Sequence, residues 1–189
     1  CGAYADANAF VAAQKESAIL YGTTHLGNID DVSAFMFTKK GDMKTPKIVP
    51  FDGGGELATQ LVAGAVDAAV LNLAEAGSQI AAGDICPIVV LANERMAGLP
   101  NVSTAKEMGI DVSFSTVRGF AVHKDTPDAI AEKIEAALLK SMNHSIYQGF
   151  LESVGLDSTS VVGSDEWGNQ ISTMVADMES ALKELGFIE

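Results

Sequence analysis

Val49-Pro50-Phe51-Asp52-Gly53-Gly54-Gly55-Glu56, running on through residues 57–73, is the stretch whose reading decides the fold. It reads as the end of a buried strand, a glycine-rich turn, a short amphipathic helix and a second apolar strand that ends at Asn72. Three successive glycines ahead of a helix leave backbone N–H groups uncovered, and the helix N-terminus adds partial positive charge. Such a turn suits an anion, most simply a carboxylate or phosphate. The plainer alternative is a tight strand-to-helix turn that binds nothing.

Outward from that stretch, helical and extended patterns alternate, as they do in an α/β domain. Upstream, the pattern predicts a helix over residues 6–14, a strand over 17–21, a polar loop over 22–27 and a helix over 29–39. Val32, Phe35 and Met36 give that last helix one apolar stripe. A strand over 47–49 leads into the glycine turn, and Gly64 is the expected C-cap of the helix that follows. Downstream, a strand over 68–71, a helix over 74–82 and a strand over 86–92 are expected. A loop over 93–102 carries Pro100, and a short helix from Ser103 closes at Gly109.

Residues 112–123 read as one long extended segment interrupted by Arg118-Gly119, the kind of segment that crosses between two domains. Thr126 as N-cap and Pro127 at the first helical position start a helix to residue 142. Two more helices are expected over 145–154 and 164–184, so the C-terminal third is nearly all helix, with no evident sheet partner.

The first strand-to-helix junction along the chain, ahead of the glycine turn, is Gly22-Thr23-Thr24-His25-Leu26-Gly27-Asn28-Ile29-Asp30-Asp31. Asn28 is a strong N-cap type. The Thr23 and Thr24 hydroxyls and the N–H groups near Ile29 could hold a carboxylate; alternatively this is an ordinary capped helix behind a polar loop. Asp30 and Asp31 favour the helix dipole yet repel a nearby anion. Two such junctions in consecutive β–α units share the edge at the strands' carboxyl ends, where ligands sit in open α/β sheets. Arg118 is a third candidate, either a bidentate clamp on a carboxylate or a surface ion pair.

Bulk properties narrow the classes. A chain of 189 residues makes one large domain or two small ones, and 48% apolar with 20% charged residues is a globular composition. The net charge of −13 speaks against nucleic acid and anionic membranes as partners. Of the two cysteines, Cys86 reads as a small buried hydrophobe in preference to a reactive thiol. Cys1-Gly2 is similar to the start of a mature bacterial lipoprotein, but no signal peptide or membrane-spanning run accompanies it. His25, His123 and His144 are scattered, with no metal-ligand spacing. Neither a GxSxG elbow nor a Walker A lysine is present, so no catalytic residue, metal or cofactor is expected.

From Gly22 onward the chain resembles the substrate-binding proteins of tripartite tricarboxylate transporters, the TctC/Bug family. The likeness is most specific in VPFDGGGELATQLVAGAVDAAVLNLAEAGSQIAAG, which follows the family's VPFxGGxxAxxxLLGGxVDxxxxxxxExxxxIxAG. LANERMAGLPNVSTAKEMGIDV, VRGFAVHKDTPDAI and the closing LKELGF continue it. Val117 stands where tryptophan is usual, and the pair Arg118-Gly119 favours the tricarboxylate-type branch. The family's STHL at a helix start aligns with Ile29-Asp30-Asp31-Val32, so its hydroxyl residue and histidine are aspartates here. That departure points to a ligand bearing an amine or to a shifted binding mode.

The resemblance implies a periplasmic, doubly wound type II binding protein, two α/β domains that clamp a small organic acid between them and then dock on membrane permease subunits. It implies no covalent chemistry, no nucleic acid and no direct membrane insertion. Residues 1–114 would form the second, central domain, and 115–189 the C-terminal part of the first, whose N-terminal part has no counterpart in this sequence. The ligand-binding residues expected are Thr23, Thr24, Gly27, Asn28, Ile29, Phe51, Asp52, Gly53, Gly54, Asn72, Arg118 and Gly119. The rival expectations are a sensor domain of the same fold, reporting an organic acid to a signalling partner, and an enzyme using Cys86 or a histidine.

Overall fold

The computed structural model describes residues 3–189; Cys1 and Gly2, with the lipoprotein-like reading placed on them, lie outside the described residues. The elements run α1 (Ala7–Glu16), β1 (Leu20–Thr24), α2 (Ile29–Lys40), β2 (Lys47–Phe51), α3 (Gly54–Val62), β3 (Ala68–Ala69) and α4 (Leu73–Ala82). After a 3₁₀ turn at Lys106–Met108 come α5 (Asp128–Met142), α6 (Ser145–Ser153), a second 3₁₀ turn at Ser158–Ser160, and α7 (Ser164–Leu185).

The three strands are parallel in the order β2-β1-β3, with Thr24 beside Phe51 and Gly22 beside Ala69. Parallel strands need helical crossovers, and α2 and α3 supply them. Tyr21, Gly22 and Thr23 of the central strand are buried. Gly22 lets α3 lie close on the sheet, because a Cβ there would stand 2.2 Å from Leu57 Cδ1, and Leu57 is fully buried.

The larger core joins Phe10 of α1, Tyr21 of β1 and Val32, Ala34, Met36 and Phe37 of α2 with Ala105, Ile110 and Val112. Phe10 meets Tyr21 edge-on, with ring centroids 6.0 Å apart. The C-terminal half of α7 closes this core: Ala181 is buried in it, and Phe187 packs edge-on against Phe35 at 5.5 Å. A smaller cluster of Ala58, Ala76 and Ile85 joins α3 to α4. By contrast α5 has no buried residue, and Ile130, Ile134, Phe120 and Val122 are exposed.

Several expectations are corrected. The first strand starts at Leu20 instead of residue 17 and reaches Thr24, so both threonines belong to the strand and not to the loop. The cause is the buried Gln14 side chain, which accepts the Ile19 N–H at 3.0 Å and donates to the Lys44 carbonyl at 2.6 Å. That bridge fixes where the chain joins the sheet. No strand forms over 86–92; the segment makes only a bridge between Val90 and Thr104. The N-cap of α5 is Pro127, in extended backbone, and not Thr126. Ala63 caps α3, with Gly64 next at φ +75°. Cys86 is half-buried and disulfide-bonded, so it is neither a packed free thiol nor a nucleophile.

Candidate functional site at the carboxyl edge of the sheet

The loops after β1, β2 and β3 emerge on one edge, and the His25 N–H donates to the Phe51 carbonyl at 2.9 Å, tying the first two together. His25 holds a left-handed backbone, φ 55°, and Gly27 follows at φ 77°. These values turn the chain sharply enough for Asn28 to cap α2. The Asn28 Oδ1 accepts the Asp30 and Asp31 N–H groups at 2.9 and 3.3 Å.

The first junction is filled by the chain's own carboxylates. Asp30, which is buried, accepts from the Thr24 backbone N–H at 3.1 Å and from the Thr24 hydroxyl. Asp31, also buried, accepts the Gly27 N–H at 2.7 Å. The Asn28 amide donates to the Thr24 carbonyl and to its hydroxyl. Thr23 has no accessible surface, and its hydroxyl has no hydrogen-bond partner. The Thr24 and Gly27 donors expected to greet a ligand here are therefore satisfied internally by the two aspartates, and the Thr23 hydroxyl is buried away from the edge.

The second junction is open. Gly53 is the N-cap of α3 and offers no side-chain cap, and the space beside Gly53 and Gly55 is empty. The Asp52 N–H is taken by Glu56 at 3.1 Å. Glu75 of α4 reaches back to accept the Asn72 backbone N–H at 2.9 Å and the Asn72 side-chain amide at 3.1 Å. The same carboxylate lies against Gly54, where a Cβ would stand 2.3 Å from Glu75 Cδ. Its other oxygen is 3.6 Å from the Arg118 guanidinium. Gly54, Asn72, Glu75 and Arg118 thus form one cluster, assembled from α3, the start of α4 and the segment over residues 112–123.

Gly119 packs against Trp167 of α7, whose ring would be 2.4 Å from a Cβ at that position. The Trp167 indole N–H is buried without a partner. A cavity of about 410 Å³ lies between Ile29, the segment at Ser113 to Val117, and α7, which contributes Asn169, Thr173 and Asp177. Sequence reading missed α7 as a wall of this space. The signal was available in Glu166, Asn169, Gln170, Thr173 and Asp177, polar residues at helical spacing on one face. Among the described residues no group of three His, Cys, Asp or Glu side chains is placed to hold a metal ion.

The sequence profile described as the tripartite tricarboxylate transporter family receptor, TctC, matches residues 4–186. The chain belongs to that family. A curated relative, the UPF0065 protein in the TAR-I ttuE-ttuC' intergenic region of Agrobacterium vitis, is 30% identical over 131 residues, covering 68% of this chain and 38% of that protein. The fold matches Rpa4515 of R. palustris, solved with adipate, at a TM-score of 0.85 and 17% identity over 97% of this chain and 62% of that one. It also matches MatC of Rhodopseudomonas palustris, solved with bound malate, at a TM-score of 0.74 and 21% identity over 95% and 63%. These likenesses bear out the α/β, periplasmic-binding fold of type II expected from the sequence. The chain spans less than two thirds of the length of each of these proteins.

Proposed function

We propose that this protein is a periplasmic solute-binding receptor that captures a small di- or tricarboxylate without chemical turnover and delivers it to the permease subunits of a tripartite transporter. The observation that carries this reading is the asymmetry between the two junctions. The N-terminus of α2 is capped by Asn28 and the Thr24 and Gly27 donors beside it are taken, whereas the N-terminus of α3 has no side-chain cap and stands beside Arg118 and its partner Glu75. A ligand carboxylate would take the N–H groups at Gly54 and Gly55 together with Arg118.

In this reading Phe51, Asp52 and Gly53 shape the turn, Asn72 presents α4, and Gly119 seats Arg118 against α7. Gly27, Asn28 and Ile29 form the opposite rim, with Thr23 and Thr24 holding it in place from β1. Residues 1–114 are proposed as one lobe of a hinged clamp and 115–189 as part of the other; the exposed apolar side chains of α5 are consistent with a helix that packs on further chain. Among the described residues no helix is long and apolar enough to cross a membrane. The bound structures of fold relatives, with adipate and with malate, support an organic acid as the ligand class.

The test is calorimetric titration of the intact protein with a panel of di- and tricarboxylates. Binding of one acid, released unchanged and lost in Arg118→Ala, is the expected result. An intact, folded protein that binds none of them would overturn the reading.

A further inference from the structure

Helix α7 is 22 residues long, about 33 Å from end to end, and its two ends are held by different parts of the molecule. At the C-terminal end Ala181 is buried in the core with Phe10, Tyr21 and the α2 side chains, and Met178, Leu182 and Leu185 pack against that core. Glu184 fastens the same end to α2: its carboxylate pairs with Lys40 at 2.9 Å, and its carbonyl accepts from Lys39. At the N-terminal end the Ser164 N–H donates to Glu135 of α5 at 2.6 Å, and Trp167 lies against Gly119. Between these anchors no residue from 168 to 177 is buried, and the helix runs along the cavity of about 410 Å³ that Ile29, Phe114 and Val117 line on the other side.

The residues of that unsupported stretch loosen it further. Gly168 has no side chain to restrict its backbone. The Ser172 hydroxyl donates to the Gly168 carbonyl at 2.9 Å, and the Thr173 hydroxyl donates to the Asn169 carbonyl at 3.0 Å. Each of these carbonyls is thus shared with the helix's own N–H. Such sharing bends helices, and kinks gather where Gly and Ser meet. In α2 the same kind of bond is made by Ser33 and Thr38, but that helix is buried along most of its length. A rigid rod fixed at both ends would let neither anchor move without tearing the other. One soft turn between them allows both to hold.

We propose that α7 is a jointed strap. Its residues from Met178 onward move with the lobe formed by residues 1–114, its residues up to Trp167 move with the other lobe, and the helix bends at residues 168–173 as the cleft opens and closes. The two moving lobes rest on the clamp reading; the joint within α7 does not.

Amide hydrogen exchange on the intact protein locates the joint. The Ser172 and Thr173 amides, whose helical acceptors are the shared carbonyls, are expected to exchange about tenfold or more faster than those of residues 168–171 and 181–185 on either side. A smooth loss of protection from Leu185 back to Ser164, as simple fraying gives, would overturn the proposal. Gly168→Ala combined with Ser172→Ala and Thr173→Ala removes the glycine and both hydroxyls at exposed positions, and a Cβ at 168 meets nothing. This variant should slow exchange at 172 and 173 about fivefold or more and leave 181–185 unchanged. No slowing would count against the joint. Nitroxide labels then read which lobe each end follows. Lys47→Cys on β2 paired with Glu179→Cys should give a narrow distance distribution, and paired with Asp165→Cys a clearly broader one, already in the protein without acid. Equal widths would show α7 moving as one piece and sink the strap. If no acid in the panel binds, the clamp reading falls, and the exchange pattern still decides the joint.

Discussion

The Glu75 carboxylate stands 3.6 Å from the Arg118 guanidinium while also accepting the Asn72 backbone N–H at 2.9 Å. An acid arriving at the α3 N-terminus must therefore compete with a carboxylate that the protein already holds there. Glu75→Gln keeps an oxygen for Asn72 and releases Arg118. Because Arg118 is largely exposed, the pair itself is weak, and the gain in acid affinity is expected to be about two- to fivefold. Arg118→Ala should cost about tenfold or more. Calorimetry reads both, and unchanged affinity in the pair of variants would remove this cluster from the site.

Trp167 is the single tryptophan of the chain and touches Gly119, beside Arg118. Its emission is therefore a reporter of the proposed acid site. Gly119→Ala places a methyl group where the ring now lies, so the indole must move toward solvent and its emission should shift to longer wavelength. Acid binding to the unaltered protein should change the same signal, and the response should be lost in the variant. A variant spectrum identical to that of the unaltered protein would contradict the packing described.

Gly22→Ala tests the close approach of α3 to the sheet. The added methyl meets the Leu57, Phe51 and Val66 side chains at once, and Leu57, the nearest, is fully buried. A loss of about 1–3 kcal/mol is expected from denaturant unfolding. Asn28→Ala removes the cap on two N–H groups of α2 and should cost about 1 kcal/mol.

Acid should destabilise the protein through specific carboxylates. Arg95, then the Thr104 N–H, holds Glu107 below its usual 4.5, and Lys40, with Lys39 adding to it, does the same for Glu184. Glu135 is lowered by the Ser164 N–H at the start of α7. Each is depressed in the folded state, so its contribution is present above the unfolded value and is lost as pH falls through the folded one. The melting temperature should hold from pH 7 down to about 5 and fall below the usual 4.5. Glu107→Gln should make that fall shallower, and an equally steep fall would count against the assignment.

Much of the architecture was legible because its signals are local. The glycines at 53–55, Asn28 and Asp6 mark helix starts by their own chemistry, and α2, α3 and α4 lie within a few residues of where the pattern put them. What failed depended on distant groups. The register of β1 is set by Gln14 reaching Lys44, and residues 86–92 make only the Val90–Thr104 bridge and a bond from the Phe114 N–H to the Leu91 carbonyl, contacts set by chain far along the sequence. At the first junction, Asp30 and Asp31 were recognised as repelling an anion. That they fold back to occupy the Thr24 and Gly27 donors is a matter of rotamer and loop geometry, which no spacing rule encodes. Arg118 was left between clamp and ion pair; the structure pairs it with Glu75, and the clamp stands as part of the proposed function.

Ala181, near the end of α7, is buried in the same cluster as Phe10 of α1 and Tyr21 of β1. The core around the central strand therefore draws on residues from both ends of the described chain. During synthesis the early elements emerge first, and their apolar faces must wait for α7 before they are fully covered. Contacts of such wide sequence separation slow folding and lengthen the exposure of unpaired surface. Closure of this core thus waits on α7, and a chain stalled before Ala181 leaves the apolar faces of α1, β1 and α2 uncovered.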